Sequence, residues 1–257
     1  MTQRIHADDV PKPPRPRFMP GHHPDDQQRG GVGGKSGALR AGIFGVNDGL
    51  VSNLALIMGI AGATSGSDPK LVIIAGVAGL LAGAFSMGAG EFQSMRVQRD
   101  LFENLLKLER WELEYEADEE LDELTKIYES RGLPPDLART VATTLSADPE
   151  TALQTHAREE LGLDPDELGS PMAAAISSFF AFTFGAIVPL LPFLLATGTT
   201  AVVVSAVLSG ITLFLVGSLM TLWTGTHFWL SGLRMFAIGG VTATVTYVIG
   251  SLFNVQV

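Results

Sequence analysis

Five long stretches of the chain are almost entirely apolar, and none of them alternates apolar and polar residues with a period of two. They cover Leu39–Ala63, Leu71–Ala89, Met172–Ala196, Ala201–Trp223 and Leu233–Phe253. An α-helix needs about 20 mostly apolar residues to cross a bilayer, and the lack of alternation argues against barrel strands. The pattern therefore predicts an all-α membrane protein with five transmembrane helices.

The charged residues are distributed very unevenly along the 257 residues. Glu91 to Glu167 contains 21 of the 27 Asp and Glu residues, whereas residues 169–257 contain no acid and one base, Arg234. A soluble domain of that length would carry roughly 20 charged residues. This distribution excludes an ordinary soluble enzyme. The net charge of −10 and the absence of cysteine also argue against a nucleic-acid-binding protein and a disulfide scaffold.

Residues 96–170 form a polar insert between the second and third spans. The caps and breakers that divide it into three helices are Asp118 and Gly132 for the first, Pro134-Pro135 for the second, and Asp148-Pro149 and Gly162 for the third. The chain thus has four predicted parts: a disordered Pro-rich tail at 1–37, two spans at 38–95, an acidic helical domain at 96–170, and three spans at 171–257.

Basic residues near the span ends predict the orientation of the chain in the membrane. Those that would share one face are Lys35, Arg40, Arg96, Arg99, Lys107 and Arg234, whereas Lys70 alone lies on the other. Because the positive face is the cytoplasmic one, we expect a cytoplasmic N-terminus and a cytoplasmic insert.

Five glutamates at the start of the insert would lie on one helix face. They are Glu109, Glu112, Glu116, Glu120 and Glu123, three or four residues apart. Like charges at this spacing repel each other on a helix, whereas a divalent cation is bound by several carboxylates together. A turn at Ala117-Asp118 would instead give two facing pairs. The spacing predicts a metal site, with a solvated acidic face as the alternative.

The third insert helix adds His156 and Glu160, which lie on one face because they are four residues apart. An imidazole together with carboxylates favours iron, manganese, cobalt or zinc over calcium. A single histidine on a soluble helix is more often incidental, which is the competing interpretation.

Two acids are associated with the apolar spans. Asp48 lies inside the first span, and Glu91 lies at the cytoplasmic end of the second, one helical turn after Met87. Carboxylates inside a membrane are costly and by default mark an ion or proton path. The alternatives are an interfacial anchor for Glu91 and ordinary packing for Met87.

These motifs resemble those of the vacuolar iron transporter family, including its bacterial and nodulin-like members, over nearly all of the chain after residue 38. The matching stretches are Gly45–Asn53 (GVNDGLVSN), Ser86–Phe92 (SMGAGEF), Gln98–Asp100, Ser146–Glu150 (SADPE), Arg158–Leu163 (REELGL) and Pro189–Pro192 (PLLP). Together they form a specific signature, although each alone would be weak.

The resemblance implies a homodimer of five-span subunits that moves Fe²⁺, and often Mn²⁺, out of the cytoplasm in exchange for protons. In the family, a cytoplasmic helical domain binds metal on glutamates spaced E-x-x-E-x7-E-x-x-E. The positions that match this metal site here are Glu109, Glu112, Glu120, Glu123, His156 and Glu160. The family's transport path is matched by Asp48 and Met87, and the acid of its second-span motif by Glu91.

Three features depart from the family pattern. His156 stands where relatives often have methionine, which bears on metal preference. Gln93 and Met95 are bulkier than the usual residues after the second-span motif, and Asn104–Leu106 lack flanking glutamates. None of these changes removes a ligand.

The sequence therefore predicts a proton-coupled transporter of Fe²⁺ and Mn²⁺ rather than an enzyme, since it contains no nucleophile–base set and no phosphate-binding loop. The metals are expected as bound and transported ions and not as cofactors, with protons and membrane lipid as further partners and no role for nucleic acid. The absence of a recognised sorting signal favours a bacterial plasma membrane over a vacuolar one. The rival function is a membrane-anchored metal buffer or sensor.

Overall fold

The computed structural model describes residues 14–16, 34–64, 68–165 and 168–253, which contain nine helices and no strand. The helices are α1 (Gly34–Ala63), α2 (Pro69–Tyr115), α3 (Ala117–Ser130), α4 (Pro135–Leu145), α5 (Pro149–Glu159), α6 (Pro171–Leu195), α7 (Gly198–Leu219), α8 (Thr221–Thr224) and α9 (Phe228–Phe253). Within this part of the chain, five helices are long and apolar enough to cross a membrane, namely α1, α2, α6, α7 and α9. The predicted all-helical class and the number of spans are confirmed.

The chain divides into two compact units. Among the described residues, the span unit contains those within 35–96 and 169–253, and the insert unit contains those within 97–168 together with residues 14–16 and 34. Helix α2 contributes its apolar first half to the span unit and its acidic second half to the insert unit.

Glycines allow α1 and α6 of the span unit to touch through their backbones. A β-carbon at Gly49 would overlap the carbonyl oxygen of Phe182, and one at Gly185 would overlap that of Val46. In lipid no hydrophobic driving force holds helices together, and small residues let them pack through close backbone approach instead. One buried apolar cluster of the span unit consists of Leu50, Leu54, Ile57, Met58, Ala61, Val72, Leu190, Phe193, Ala201 and Leu213.

Several span boundaries differ from the predicted ones, and the last two spans show this most clearly. The fourth span ends at Leu219 instead of Trp223, because a separate short helix, α8, follows it. The fifth begins at Phe228, five residues before the predicted start. Hydrophobicity reports how much of the chain is apolar, whereas the helix ends are set by backbone hydrogen bonds. Helix α8, for example, is followed by Gly225, which has a φ of 65° and donates its backbone N–H to the Thr221 carbonyl oxygen.

The three insert helices form where their signals lie, with one exception. Gly132 follows α3 with a φ of 98°. Asp148 caps α5 by accepting a hydrogen bond from the Thr151 backbone nitrogen at 2.9 Å. The predicted cap at Asp118 is wrong, because α3 begins at Ala117 and Asp118 lies in its first turn. Aspartate is favourable at both positions, as a cap and as a negative charge at the positive end of the helix dipole.

The predicted disordered tail at 1–37 falls mostly outside the described residues. Its residues 14–16 have no regular secondary structure, whereas residues 34–37 already belong to α1.

Candidate metal sites

Three helices of the insert unit bring four ligand side chains together. Glu109 comes from α2, Glu120 from α3, and His156 and Glu160 from α5 and its C-terminal cap. One donor atom from each of the four lies within 4.8 Å of the others. His156 Nδ1 is at the centre, 3.2 Å from Glu109 Oε1 and 3.5 Å from an oxygen of both Glu120 and Glu160. We call these four residues the insert cluster.

Local sequence explains how the cluster forms. The helix break at Glu116 separates α2 from α3, so Glu109 and Glu120 belong to different helices and meet across the turn. Helix α5 buries His156 on the same face as Ala152 and Leu153, which precede it by four and three residues. The apolar contacts of α5 therefore fix the imidazole next to the carboxylates.

The insert cluster is buried, and this changes the acidity of its members. Glu109 is 2% exposed and His156 is 0% exposed. Burial raises the pKa of Glu109, and burial together with the negative charges of neighbouring glutamates raises the pKa of Glu120 to about 8. Burial alone would lower the pKa of His156, but the surrounding carboxylates Glu109, Glu160 and Glu120 raise it to about 10. Without a metal, a proton on His156 therefore offsets the charge of the carboxylates.

Two buried polar atoms of the insert cluster have no hydrogen-bond partner among the described residues. They are His156 Nε2 and Glu109 Oε1, the latter close to His156 Nδ1 but outside hydrogen-bond geometry. Such atoms are costly to bury unpaired and need a physical reason. A divalent cation bound by the carboxylates and by Nδ1, in place of the proton, would give Glu109 Oε1 a partner but would leave His156 Nε2 without one. A donor set of one imidazole and three carboxylates suits first-row transition metals better than calcium.

Glu112 and Glu123, which the resemblance places in the same metal site, lie outside the insert cluster. Glu112 is half-buried and forms an ion pair with Arg15, whose guanidinium also lies 6.0 Å from the centre of the Trp111 ring. Glu123 is exposed. Slight burial and the negative charges of Glu160 and Glu109 still raise the pKa of Glu123. No sequence signal indicated the Arg15 contact, because an arginine in a Pro-rich tail has no pattern that points to a partner.

The span unit contains a separate cavity of about 360 Å³. Its lining comes from α1, α2 and α6 and consists of Asp48, Ser52, Asn53, Leu56, Gly79, Gly83, Ser86, Met87 and Phe182. We call it the span cavity. It brings together the predicted path residues Asp48 and Met87, but Glu91 is not part of its lining.

Asn53 is a buried polar lining residue that sequence reasoning did not single out as functional. It is 2% exposed and lies five residues after Asp48 in the same helix. A neutral amide inside a span is less conspicuous than a carboxylate. The sequence feature that could have indicated Asn53 is its position as the last residue of the Gly45–Asn53 motif, which contains Asp48.

Comparison with known proteins finds consistent similarity. Residues 39–251 match the model of the VIT family. The chain is 40% identical to the vacuolar iron transporter of Acanthamoeba castellanii over 159 residues, which cover 62% of this chain and 56% of that protein. It is 30% identical to vacuolar iron transporter 1 of Oryza sativa subsp. japonica over 227 residues, which cover 88% of this chain and 87% of that protein. The vacuolar iron transporter of Toxoplasma gondii is 31% identical over 230 residues, which cover 85% of this chain and 75% of that protein.

Proposed function

The chain belongs to the VIT family, and from this premise we propose that it transports Fe²⁺ across a membrane through the span cavity. The names of its relatives, vacuolar iron transporters, support iron as the cargo. The observation that carries the proposal is that Asp48 and Met87 line one cavity among apolar helices. A carboxylate is costly there unless it serves an ion or proton path.

The donors of the span cavity suit a first-row divalent cation. The Asp48 carboxylate is a hard ligand and the Met87 thioether is a soft one, and a mixture of the two favours transition metals over Mg²⁺ and Ca²⁺. We propose Mn²⁺ as a second cargo, because its ligand preference is close to that of Fe²⁺.

Exchange for protons follows from the chemistry of a carboxylate, which binds a divalent cation or a proton but not both well. On the cytoplasmic side, cation entry would displace the proton from Asp48. On an acidic opposite side, protonation would release the cation, so the direction of transport is out of the cytoplasm. Glu91 is proposed to relay protons or cations at the cytoplasmic end of α2, one turn beyond Met87.

The insert is proposed to lie in the cytoplasm and to supply the cation. Residues 91–167 contain 21 acids against eight Lys and Arg, a net charge of −13. A surface of one sign raises the local concentration of counter-ions. The insert cluster, with Glu112 and Glu123 beside it, would bind the cation before transport. We propose that the protein works as a homodimer in a bacterial plasma membrane or, in a eukaryote, a vacuolar membrane.

Transport is tested with the purified full-length protein in liposomes that contain a pH-sensitive dye and a metal-sensitive dye. We expect Fe²⁺, added without oxygen, and Mn²⁺ to enter while the interior becomes more alkaline. Ca²⁺ and buffer alone serve as controls. Metal entry without a pH change would contradict proton exchange, and no entry of either metal would contradict transport.

A membrane-anchored metal buffer or sensor is the second candidate. The observation in its favour is that the four ligands of the insert cluster all lie within the insert unit. Tight binding of Mn²⁺ to the full-length protein in the absence of any flux would support this candidate instead.

A further inference from the structure

Asn53 contains a buried polar atom without a partner, and this atom belongs to the wall of the span cavity. Its Nδ2 donates a hydrogen bond to the Ala186 carbonyl oxygen of α6 at 2.6 Å. Its Oδ1 is buried and accepts no hydrogen bond within the described part of the chain. The reverse orientation of the amide would place two oxygens at that short distance, so the bond to Ala186 fixes which end is free.

The free oxygen faces the side of the span cavity formed by α2. A β-carbon at Gly79, which also lines the cavity, would lie 3.1 Å from Asn53 Oδ1. With glycine at this position, no α2 side chain lies against the amide oxygen from that residue. Asp48 and Met87 belong to the lining of the same cavity. An amide oxygen is a common ligand of divalent cations, next to carboxylates.

We propose that Asn53 Oδ1 is a third ligand of the transported cation in the span cavity, beside the Asp48 carboxylate and the Met87 thioether. This inference rests on the proposed transport through that cavity. Gly79 adds no side-chain atom against the ligand oxygen, and the hydrogen bond to Ala186 holds the amide in the ligating orientation. The neutral oxygen adds a ligand without adding a second negative charge that would hold the cation too strongly for release.

The test is the concentration dependence of Mn²⁺ and Fe²⁺ flux in liposomes that contain full-length variants. We expect Asn53→Ala to raise the KM for both metals at least tenfold. Asn53→Asp, which keeps an oxygen at this place but adds a negative charge, should lower both KM and the maximal flux, because the cation is held more strongly and released more slowly. Gly79→Ala should also raise KM, since the methyl group would cover Oδ1 while Asn53 stays in place and the flexible end of Leu56 moves aside.

Two matched controls separate a ligand from a structural residue. Ser205 is 0% exposed and donates a hydrogen bond to the Pro189 carbonyl oxygen of α6 at 2.6 Å, but it does not line the span cavity. Ser205→Ala therefore removes a similar buried hydrogen bond and should leave KM within twofold of wild type. A β-carbon at Gly240 on α9 would have no described neighbour within 4 Å, so Gly240→Ala is the control for Gly79→Ala.

The outcomes are distinguishable. A KM of Asn53→Ala within twofold of wild type, or an equal rise in Ser205→Ala, would overturn the role of Asn53 while transport itself stands. If Asn53→Ala does not fold, the other two variants decide. The ligand role of Asn53 is overturned if KM is unchanged in both Asn53→Asp and Gly79→Ala, and it is supported if KM is raised in Gly79→Ala. Absence of flux in the wild-type protein would instead refute the proposed function, and the ligand role with it.

Discussion

His156 shows how the position of one side chain determines its chemistry. On a solvated helix it would be an ordinary histidine, but here it is fully buried between the carboxylates of Glu109, Glu120 and Glu160. The protonated imidazole is stabilised only as long as the surrounding carboxylates are ionised. Ionised carboxylates are in turn costly to bury without a positive charge beside them. A proton and a bound metal would therefore compete for the same few atoms of the insert cluster.

This competition predicts the pH dependence of stability. The pKa of His156 is raised to about 10 and that of Glu120 to about 8. Both groups thus bind protons more tightly in the folded than in the unfolded chain, whose pKa values are about 6.5 and 4.3. Their contribution to stability is full below those values and is lost as the pH rises through the folded-state values. Without metal, we expect the melting temperature of the insert to fall between pH 6 and pH 9.

A bound cation should reverse this trend, since it takes the place of the protons. The stabilisation by Mn²⁺ should therefore increase over the same pH range. The measurement is thermal unfolding of the purified full-length protein with chelator and with Mn²⁺. His156→Gln, which does not titrate in this range, should make both curves less steep, with the titration of Glu120 remaining. A melting temperature that rises with pH in the chelated wild-type protein would refute the protonated cluster.

Asp48 is the residue on which transport should depend most. Loss of an outer partner of a metal ligand already costs about 10- to 100-fold, so Asp48→Asn, which removes a charged ligand, should lower Mn²⁺ flux at least about 100-fold. The shape of the side chain is retained, and the fold should be unchanged by size-exclusion chromatography. Asp136→Asn removes one exposed charge from the insert and serves as the control. Full flux in Asp48→Asn would show that the ion takes another path.

At the scale of elements, the contact between α1 and α6 positions the span cavity. Asp48 and Asn53 of α1 line the cavity together with Phe182 of α6. The two helices approach until the backbone at Gly49 meets the backbone at Phe182. A side chain at this contact would separate the helices and change the shape of the cavity.

We therefore expect Gly185→Ala to destabilise the span unit. Its β-carbon would overlap the Val46 carbonyl oxygen, which is backbone and cannot rotate away. Overpacking of this kind costs about 1–3 kcal/mol, which lowers the melting temperature by several degrees in a protein of this size. Thermal unfolding in detergent measures the effect, and Gly240→Ala should change it little. Equal melting temperatures for the two variants would mean that the helices can separate at no cost.

At the scale of the whole molecule, the separation of charge is the dominant feature. The acids are concentrated in the insert, whereas the last three spans contain no acidic residue. Electrostatic attraction of a cation to the insert is screened over about 10 Å at an ionic strength of 0.1 M. The insert should therefore influence the capture of cations more than their passage.

We expect the KM for Mn²⁺ to rise about threefold between 50 mM and 500 mM salt, with little change in maximal flux. Replacing three exposed acids of the insert outside the cluster, Glu119, Glu129 and Glu150, by glutamine should raise KM at low salt only. Flux assays at the two salt concentrations test both expectations. A KM that does not depend on salt would show that the charge of the insert has no part in cation capture.

The sequence alone determined the class of fold, the number of spans and most helix ends of the insert. These features depend on local properties, namely the length of apolar stretches and the residues that cap or break helices. Only the tertiary structure decided which of the candidate ligands meet. Glu112 and Glu123 have the same spacing along the chain as Glu109 and Glu120, yet they lie outside the insert cluster because the turn at Glu116 and the packing of α5 select which side chains meet. In the span unit, the role of Asn53 became visible only when its partner on α6 was known, since an unpaired oxygen is a property of the packed helices and not of the residue.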